Sequence, residues 1–290
     1  MAFSVGRFAR CYAGATFGRR CGGLGFGGCG RPGQETDIRC TLQRGLLRGT
    51  FQTFVIGAPL TKLLDEHGAV ISHGPFKGVK LSKDSWWGRF DLISKILGIY
   101  EPHVVDRLMT FADQGTKTFV DIGSADGYFP IGMMSGEIFE KAYAFEISDE
   151  ARTKMKLAIE RNGCGEKIVV GKEANVETLR KVLETNDDAV ILIDIEGAEY
   201  DFLDDTALAM VKKCRVICEL HPWLVEGGQR KERELEVRAQ KLFRVSFLQR
   251  EAYEPNKFAE LKEFSDDERL LACSEGRGEN TRWMVLEPKH

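Results

Sequence analysis

Residues 117–127 read KTFVDIGSADG, an apolar run that contains one acid and continues into a glycine-rich turn. Further short apolar runs follow it, and amphipathic stretches lie between them. This alternation is typical of β-α-β units and predicts a mostly parallel sheet. The predicted strands are KTFVDIG (117–123), KAYAFEI (141–147), KIVVG (167–171), AVILIDI (189–195) and CRVICEL (214–220).

Four of these strands carry an acid near their carboxyl end. In an open α/β sheet the ligand crevice lies beyond the carboxyl ends of the strands, so we expect the four side chains to meet at one rim. A solvated loop position is the alternative for any one of them, but it explains four acids in register less well. The acids are Asp121, Glu146, Asp194 and Glu219.

The turn after the first strand distinguishes between classes of cofactor. Gly123 and Gly127 are four residues apart, whereas a dinucleotide fingerprint requires glycine where this chain has Ala125 and Tyr128. The spacing therefore disfavours NAD and FAD. A glycine turn that lets the backbone approach a ligand without phosphates instead predicts S-adenosylmethionine. Glu146, at the end of the second strand, is positioned to accept hydrogen bonds from its ribose hydroxyls.

Four segments resemble, in the same order, the motifs of the FkbM-type family of S-adenosylmethionine-dependent methyltransferases. The similarity covers roughly Lys95–Trp223, and DIEGAE is its most specific part. It implies a Rossmann-like class I methyltransferase fold, with a mostly parallel seven-stranded sheet. It also implies, as the usual reaction, O-methylation of a small-molecule or glycan hydroxyl. The segments are FVDIGSADGYF, AYAFEIS, ILIDIEGAEYDFL and ICELHPW, and LGIYE (97–101) resembles a further upstream element.

The cofactor is expected to lie along the carboxyl ends of the first four strands. Glu146 is predicted to bind the ribose and Asp194 to lie near the transferring methyl group. Glu173 is predicted to reach the adenine, with an exposed position at a helix start as the alternative. The first strand and its turn are predicted to hold the methionine end through Asp121, Gly123, Ser124, Asp126 and Gly127.

The acceptor is expected beside the fourth and fifth strands. His221 is the candidate general base because imidazole accepts a proton near neutral pH, although a hydrogen-bonded loop histidine is the alternative. Asp194 is its predicted catalytic partner. Glu196, Glu199 and Glu219 are predicted to contact the substrate, and Glu196 and Glu199 have a second interpretation as helix-capping acids. The sequence also leaves open a divalent ion at Asp194, Glu219 and His221.

Three segments are predicted along the chain. Residues 1–36 form an extension, either a transit peptide or a disordered arm, because residues 1–34 carry five arginines and no acid. Residues 37–114 form an N-terminal cap with helices near Leu92 and from Pro102, and we expect Trp86 and Trp87 to pack it against the core. Residues 115–290 form the methyltransferase domain.

Composition narrows the class of protein further. Apolar residues make up 43% and charged residues 29%, as in a folded soluble protein, and no apolar run is long enough to span a membrane. The chain outside the arginine-rich extension is acidic, so we expect no nucleic-acid partner. Eight cysteines without a CxxC pair indicate an intracellular location, which is cytoplasmic, or organellar if the extension is a transit peptide. The oligomeric state is not indicated.

Two other functions fit parts of the pattern. A non-catalytic protein that binds S-adenosylmethionine would keep the same turn and Glu146. A nicotinamide-dependent sugar oxidoreductase would share the α/β architecture, but its glycine spacing would differ from that of Gly123 and Gly127.

Overall fold

A seven-stranded sheet forms the core of the described part of the chain in the computed structural model, which describes residues 57, 59–84, 91–186, 188–275, 277 and 279–289. The predictions for residues 1–36 and for Trp86 and Trp87 lie outside the described residues. The strands are β1 (Thr118–Ile122), β2 (Lys141–Phe145), β3 (Ile168–Gly171), β4 (Ala189–Ile193), β5 (Arg215–Leu220), β6 (Phe243–Gln249) and β7 (Arg282–Pro288).

The strand order is β3-β2-β1-β4-β5-β7-β6. Strands β1 to β5 pair in parallel, whereas β7 is antiparallel to both β5 and β6. The order reverses at β1, where the chain moves from β2 and β3 on one side to β4 and β5 on the other. This confirms the predicted Rossmann-like class I methyltransferase fold, and the reversal is where such sheets open a ligand crevice.

Helices cover both faces of the sheet. Those that precede β1 are α1 (residues 59–67), α2 (Leu92–Ile96) and α3 (Pro102–Asp113), and α2 and α3 agree with the predicted helical stretches. The later helices are α4 (Tyr128–Ser135), α5 (Asp149–Asn162), α6 (Val176–Leu183), α7 (Glu199–Phe202), α8 (Asp205–Met210), α9 (Gly228–Ala239) and α10 (Asp266–Ala272).

The central strands β1 and β4 are mostly apolar because both faces of the sheet are covered there. Phe119 packs into one core with residues of α3, α4 and α5, whereas its neighbour Val120 packs into a second core with residues of α6 and α9. All five residues of β1 and of β4 are buried. The acids are therefore confined to the carboxyl rim: Asp121 and Glu219 lie near the ends of β1 and β5, and Glu146 and Asp194 directly follow β2 and β4.

Local signals set the helix that follows β2. Ser148 accepts a hydrogen bond from the backbone N–H of Ala151 at 3.2 Å and so caps α5. Gly163 ends the same helix with φ +66°, in the left-handed region that glycine adopts without strain. These two caps fix the end of β2 and therefore the position of Glu146.

The part of the chain before β1 packs against the segment between β6 and β7. A third apolar cluster joins α1 and α2 to Leu261 and Ala272, both fully buried. Among the described residues, no helix is long and apolar enough to cross a membrane. Cys164, Cys214, Cys218 and Cys273 are buried and form no disulfide bond among the described residues.

Candidate active site

The glycine turn after β1 and the acid after β2 are joined directly. The backbone N–H of Ala125 donates to Glu146 Oε2 at 3.0 Å, and the N–H of Ser148 donates to Glu146 Oε1 at 2.7 Å. Burial raises the pKa of Glu146, although these backbone donors oppose the rise. The half-buried carboxylate thus lies at the same rim as the turn, with lone pairs left for further donors.

Both glycines of the turn are required by the backbone. Gly123 has φ +94°, and a Cβ atom there would lie 1.7 Å from the carbonyl oxygen of Asp194. Gly127 has φ +91°, and a Cβ there would lie 2.7 Å from the Met155 side chain. The turn is therefore packed against the end of β4 on one side and against α5 on the other, and only glycine fits at either position.

The other residues predicted in this turn have different surroundings. Ser124 is buried and its hydroxyl donates to the Asp121 carbonyl oxygen at 2.9 Å. The Asp121 carboxylate is also buried, which raises its pKa to about 8, and the nearby Asp194 and Glu146 carboxylates add to the rise. The buried side chains of Ser124 and Asp121 therefore support the turn from the protein interior. Asp126 is only partly buried.

A buried lysine, missed in the sequence, borders the turn. Lys95 on α2 is 4% exposed, pairs with Asp91, and lines a small cavity together with Asp126 and Gly127. Its ammonium group also lies 4.6 Å from the centre of the Tyr100 ring. The helical pattern of α2 predicted only an apolar face there, and nothing in it distinguished Lys95 from a solvent-exposed residue.

The second half of the site lies beyond β4 and β5, around His221. His221 Nε2 is 3.7 Å from Asp194 Oδ1, 3.7 Å from Glu196 Oε2 and 3.8 Å from Glu219 Oε1. The ring is almost fully buried, with 5% of the side chain exposed. The predicted catalytic pair and two of the predicted substrate-contacting acids are thus brought together.

Burial and mutual repulsion shift the pKa values of these groups. Burial raises the pKa of Glu219 well above its ordinary value, and Asp194 raises it further. Burial also raises the pKa of Asp194, and that of Glu196 to about 7. Burial alone would lower the pKa of His221, but the surrounding carboxylates outweigh it and the net shift is upward.

Glu199 differs from the other acids because both of its oxygens are already bonded to the backbone. It is fully buried and accepts hydrogen bonds from the N–H of His221 and from the N–H of Gly197, each at 2.8 Å. The same Oε1 lies 3.4 Å from His221 Nδ1. Glu199 therefore orients the imidazole and the turn before α7.

Arg277, also missed in the sequence, neutralises the acids behind this cluster. It donates to Glu219 Oε1 at 2.5 Å and to Glu275 Oε2 at 3.0 Å, and it forms an ion pair with Glu101. All three carboxylates are buried. The residue lies in a polar segment between α10 and β7, far along the chain from its partners, so no local pattern marked it.

Glu173 has an exposed side chain in the loop after β3. No described hydrogen bond links its carboxylate to the glycine turn or to Glu146. The Glu173 backbone carbonyl instead accepts a hydrogen bond from Thr178 at the start of α6. Its contact with an adenine ring stays a prediction.

Comparison with known proteins places the chain in a family. Residues 121–264 match the model of the methyltransferase FkbM domain, and the match includes the turn, Glu146, Asp194 and His221. The chain therefore belongs to the FkbM-type methyltransferases, as the motifs predicted. No curated protein matches it.

Similar solved structures include three methyltransferases. The METTL16 methyltransferase domain is 16% identical, with a TM-score of 0.47 over 81% of this chain and 79% of that chain. The Bacillus cereus O-methyltransferase in complex with S-adenosylhomocysteine is 13% identical, with a TM-score of 0.44 over 65% of this chain and 82% of that chain. The B. subtilis M1A22 tRNA methyltransferase TrmK is 19% identical, with a TM-score of 0.42 over 63% of this chain and 65% of that chain.

Proposed function

We propose that the protein transfers a methyl group from S-adenosylmethionine to a hydroxyl of a small molecule or glycan. The observation that carries the proposal is the contact between the glycine turn and Glu146, in which Ala125 N–H donates to the carboxylate at 3.0 Å. It gives one rim both a backbone that a ligand can approach and an acceptor for two vicinal hydroxyls. Together with membership of the family, this favours an adenosyl cofactor.

The residues present fit that cofactor. Gly123 and Gly127 leave the turn without side chains, and the start of α4 has no side-chain cap, so its N–H groups suit the methionine carboxylate. Ile147, directly after Glu146, is 60% exposed and offers an apolar face to the base. Asp194 follows the neighbouring strand β4 and supplies negative charge on the side proposed for the sulfonium.

The acceptor is proposed to lie against Asp194 and His221. S-adenosylmethionine supplies a methyl group that its sulfonium already activates, so the protein has to position the acceptor and remove its proton. The acceptor oxygen forms the new bond to the methyl carbon as the carbon–sulfur bond breaks, and the electron pair stays on sulfur. His221 Nε2 and the half-exposed Glu196 are the two groups proposed to receive the hydroxyl proton.

Glu196 and Trp223 are the groups proposed to border the acceptor. Glu196 is 47% exposed, whereas Glu219 and Glu199 are buried and held by Arg277 and by backbone N–H groups. Glu196 is therefore the acid best placed to contact the substrate directly. Trp223 is 40% exposed and its ring centre is 5.3 Å from that of His221, so it offers an apolar surface beside the same opening.

Calorimetry with S-adenosylhomocysteine tests the cofactor half of the proposal. We expect one molecule to bind per chain and Glu146→Ala to weaken binding about 10- to 150-fold, the equivalent of about 1.5–3 kcal/mol for hydrogen bonds to a charged group. Glu177→Ala, which removes an exposed acid of α6, is the matched control and should bind normally. If the folded wild-type chain fails to bind, the proposed cofactor is wrong.

A methyl-transfer assay tests the catalytic half of the proposal. Labelled S-adenosylmethionine is incubated with the protein and a panel of sugars, polyols and phenols, and label is expected in a hydroxyl-bearing product. Binding of the cofactor without transfer to any acceptor in the panel would favour the non-catalytic binding protein.

A further inference from the structure

Three side chains with metal-ligand chemistry meet at the carboxyl ends of β4 and β5. A ligand atom from each of Asp194, Glu219 and His221 lies within 4.8 Å of the others. We propose that these three residues bind a divalent cation, and that the cation orients the acceptor hydroxyl. The cation site stands on the geometry alone, whereas its role toward the acceptor rests on the proposed function.

The spacing leaves room for an ion between the ligands. His221 Nε2 is 3.7 Å from Asp194 Oδ1 and 3.8 Å from Glu219 Oε1, beyond hydrogen-bond range in both cases. Around a six-coordinate ion with bonds of about 2.1 Å, adjacent ligands lie about 3.0 Å apart and opposite ligands about 4.2 Å apart. The observed distances fall between these values, so small side-chain rotations would close the shell.

One ligand oxygen at this point lacks a hydrogen-bond partner. Asp194 Oδ1 is buried and accepts no hydrogen bond. Only 5% of the His221 side chain is exposed, and its Nε2 faces the carboxylates. Buried polar atoms without partners are costly, and a bound cation would satisfy these carboxylates and the imidazole lone pair.

The groups behind the ligands form the support that metal sites require. A metal-bound histidine usually presents its other ring nitrogen to a carboxylate, which fixes the tautomer. Here Glu199 Oε1 lies 3.4 Å from His221 Nδ1 and holds the backbone N–H of the same residue at 2.8 Å. Arg277 donates to Glu219 Oε1 at 2.5 Å and so holds that carboxylate in place.

The negative charges around His221 also favour a bound cation over an empty site. Four carboxylates surround one imidazole, and Arg277, which pairs with one of the four, is shared with two further buried acids. Two oxygens and one nitrogen suit a divalent first-row ion such as Mn²⁺, which accepts both ligand types. The carboxylates around the imidazole are Asp194, Glu196, Glu199 and Glu219.

Binding of a cation would divide the roles within the site. His221 Nε2 would be a ligand, so Glu196 would be the group that takes the hydroxyl proton. Coordination of the acceptor oxygen would lower the pKa of the hydroxyl and fix its direction toward the methyl group. A diol would be favoured, because two oxygens can occupy two open positions of the same ion.

Titration with Mn²⁺, followed by electron paramagnetic resonance of the untagged full-length chain after chelator treatment, tests the site. We expect one Mn²⁺ per chain, and the pulsed spectrum should show coupling to a directly bound imidazole nitrogen. Asp194→Asn and His221→Ala should weaken binding at least tenfold, and Glu199→Gln about 10- to 100-fold. Glu226→Gln removes an exposed acid five residues after His221 and should leave binding unchanged.

The wild-type measurement decides the proposal even if a variant fails to fold. Absence of stoichiometric Mn²⁺ binding, or bound Mn²⁺ without nitrogen coupling, would overturn it. Unchanged affinity in folded Asp194→Asn would do the same. Calorimetry with S-adenosylhomocysteine on the same samples separates the two proposals: intact nucleoside binding without Mn²⁺ binding removes only the cation site, whereas lost nucleoside binding removes the proposed function.

Discussion

Substitution of Gly123 by alanine should damage both stability and cofactor binding. A Cβ atom there would lie 1.7 Å from the Asp194 carbonyl oxygen, and the residue has φ +94°. A contact with backbone is relieved only if the turn and the end of β4 separate by more than an ångström. The left-handed φ costs about 1–3 kcal/mol for a residue with a Cβ, and the overpacking costs about 1–3 kcal/mol more.

The Gly115→Ala variant separates the cost of backbone strain from the cost of overpacking. Gly115 has φ +99°, but a Cβ atom there has nothing within 4 Å, so this variant carries the backbone strain alone. Urea unfolding should therefore show a free energy of unfolding for Gly123→Ala that is about 1–3 kcal/mol lower than for Gly115→Ala. Equal stabilities would refute the packing of the turn against β4.

Calorimetry on the same two variants extends the test to function. Gly115 lies at the end of α3, away from the turn, so Gly115→Ala should bind S-adenosylhomocysteine with the wild-type affinity. Gly123→Ala should bind at least tenfold more weakly because its turn is displaced. Full affinity in a folded Gly123→Ala variant would show that the nucleoside binds elsewhere.

Two further predictions concern buried charges. Arg277→Ala leaves Glu219 and Glu101 buried without their guanidinium, so the free energy of unfolding in urea should fall by about 3–5 kcal/mol, whereas exposed Arg233→Ala should change it little; equal losses would contradict the network. Burial raises the pKa of Asp121 from 3.8 to about 8, so the folded chain holds a proton that the unfolded chain releases between these values. Wild-type stability should fall there by up to about 1.4 kcal/mol per pH unit, and Asp121→Asn should lose that slope; parallel curves would contradict the assignment.

The sheet and its rim could be predicted because their signals are local. Short apolar runs, a glycine turn and caps such as Ser148 each fix the backbone within a few residues. Parallel pairing then brings the residues after separate strands to one edge, so Glu146 and Asp194 could be placed before any coordinates were known.

The supporting residues could not be predicted, because their roles depend on contacts between distant parts of the chain. Arg277 reaches Glu219 across 58 positions and Glu101 from another segment of the fold. From the sequence alone Lys95 resembles a surface residue, because only the fold shows that α2 is buried beside the turn. Glu199 was predicted to contact substrate or to cap a helix, which stays a prediction, and the backbone hydrogen bonds that both of its oxygens accept come from two separate segments.

A crystal structure of the full-length chain soaked with S-adenosylhomocysteine tests the central claim most directly. We predict that both ribose hydroxyls lie within hydrogen-bond distance of Glu146, that the amino-acid end follows the turn at Gly123 and Gly127, and that sulfur faces Asp194. A nucleoside bound away from Glu146, or a ribose that contacts no carboxylate at the end of β2, would contradict the account.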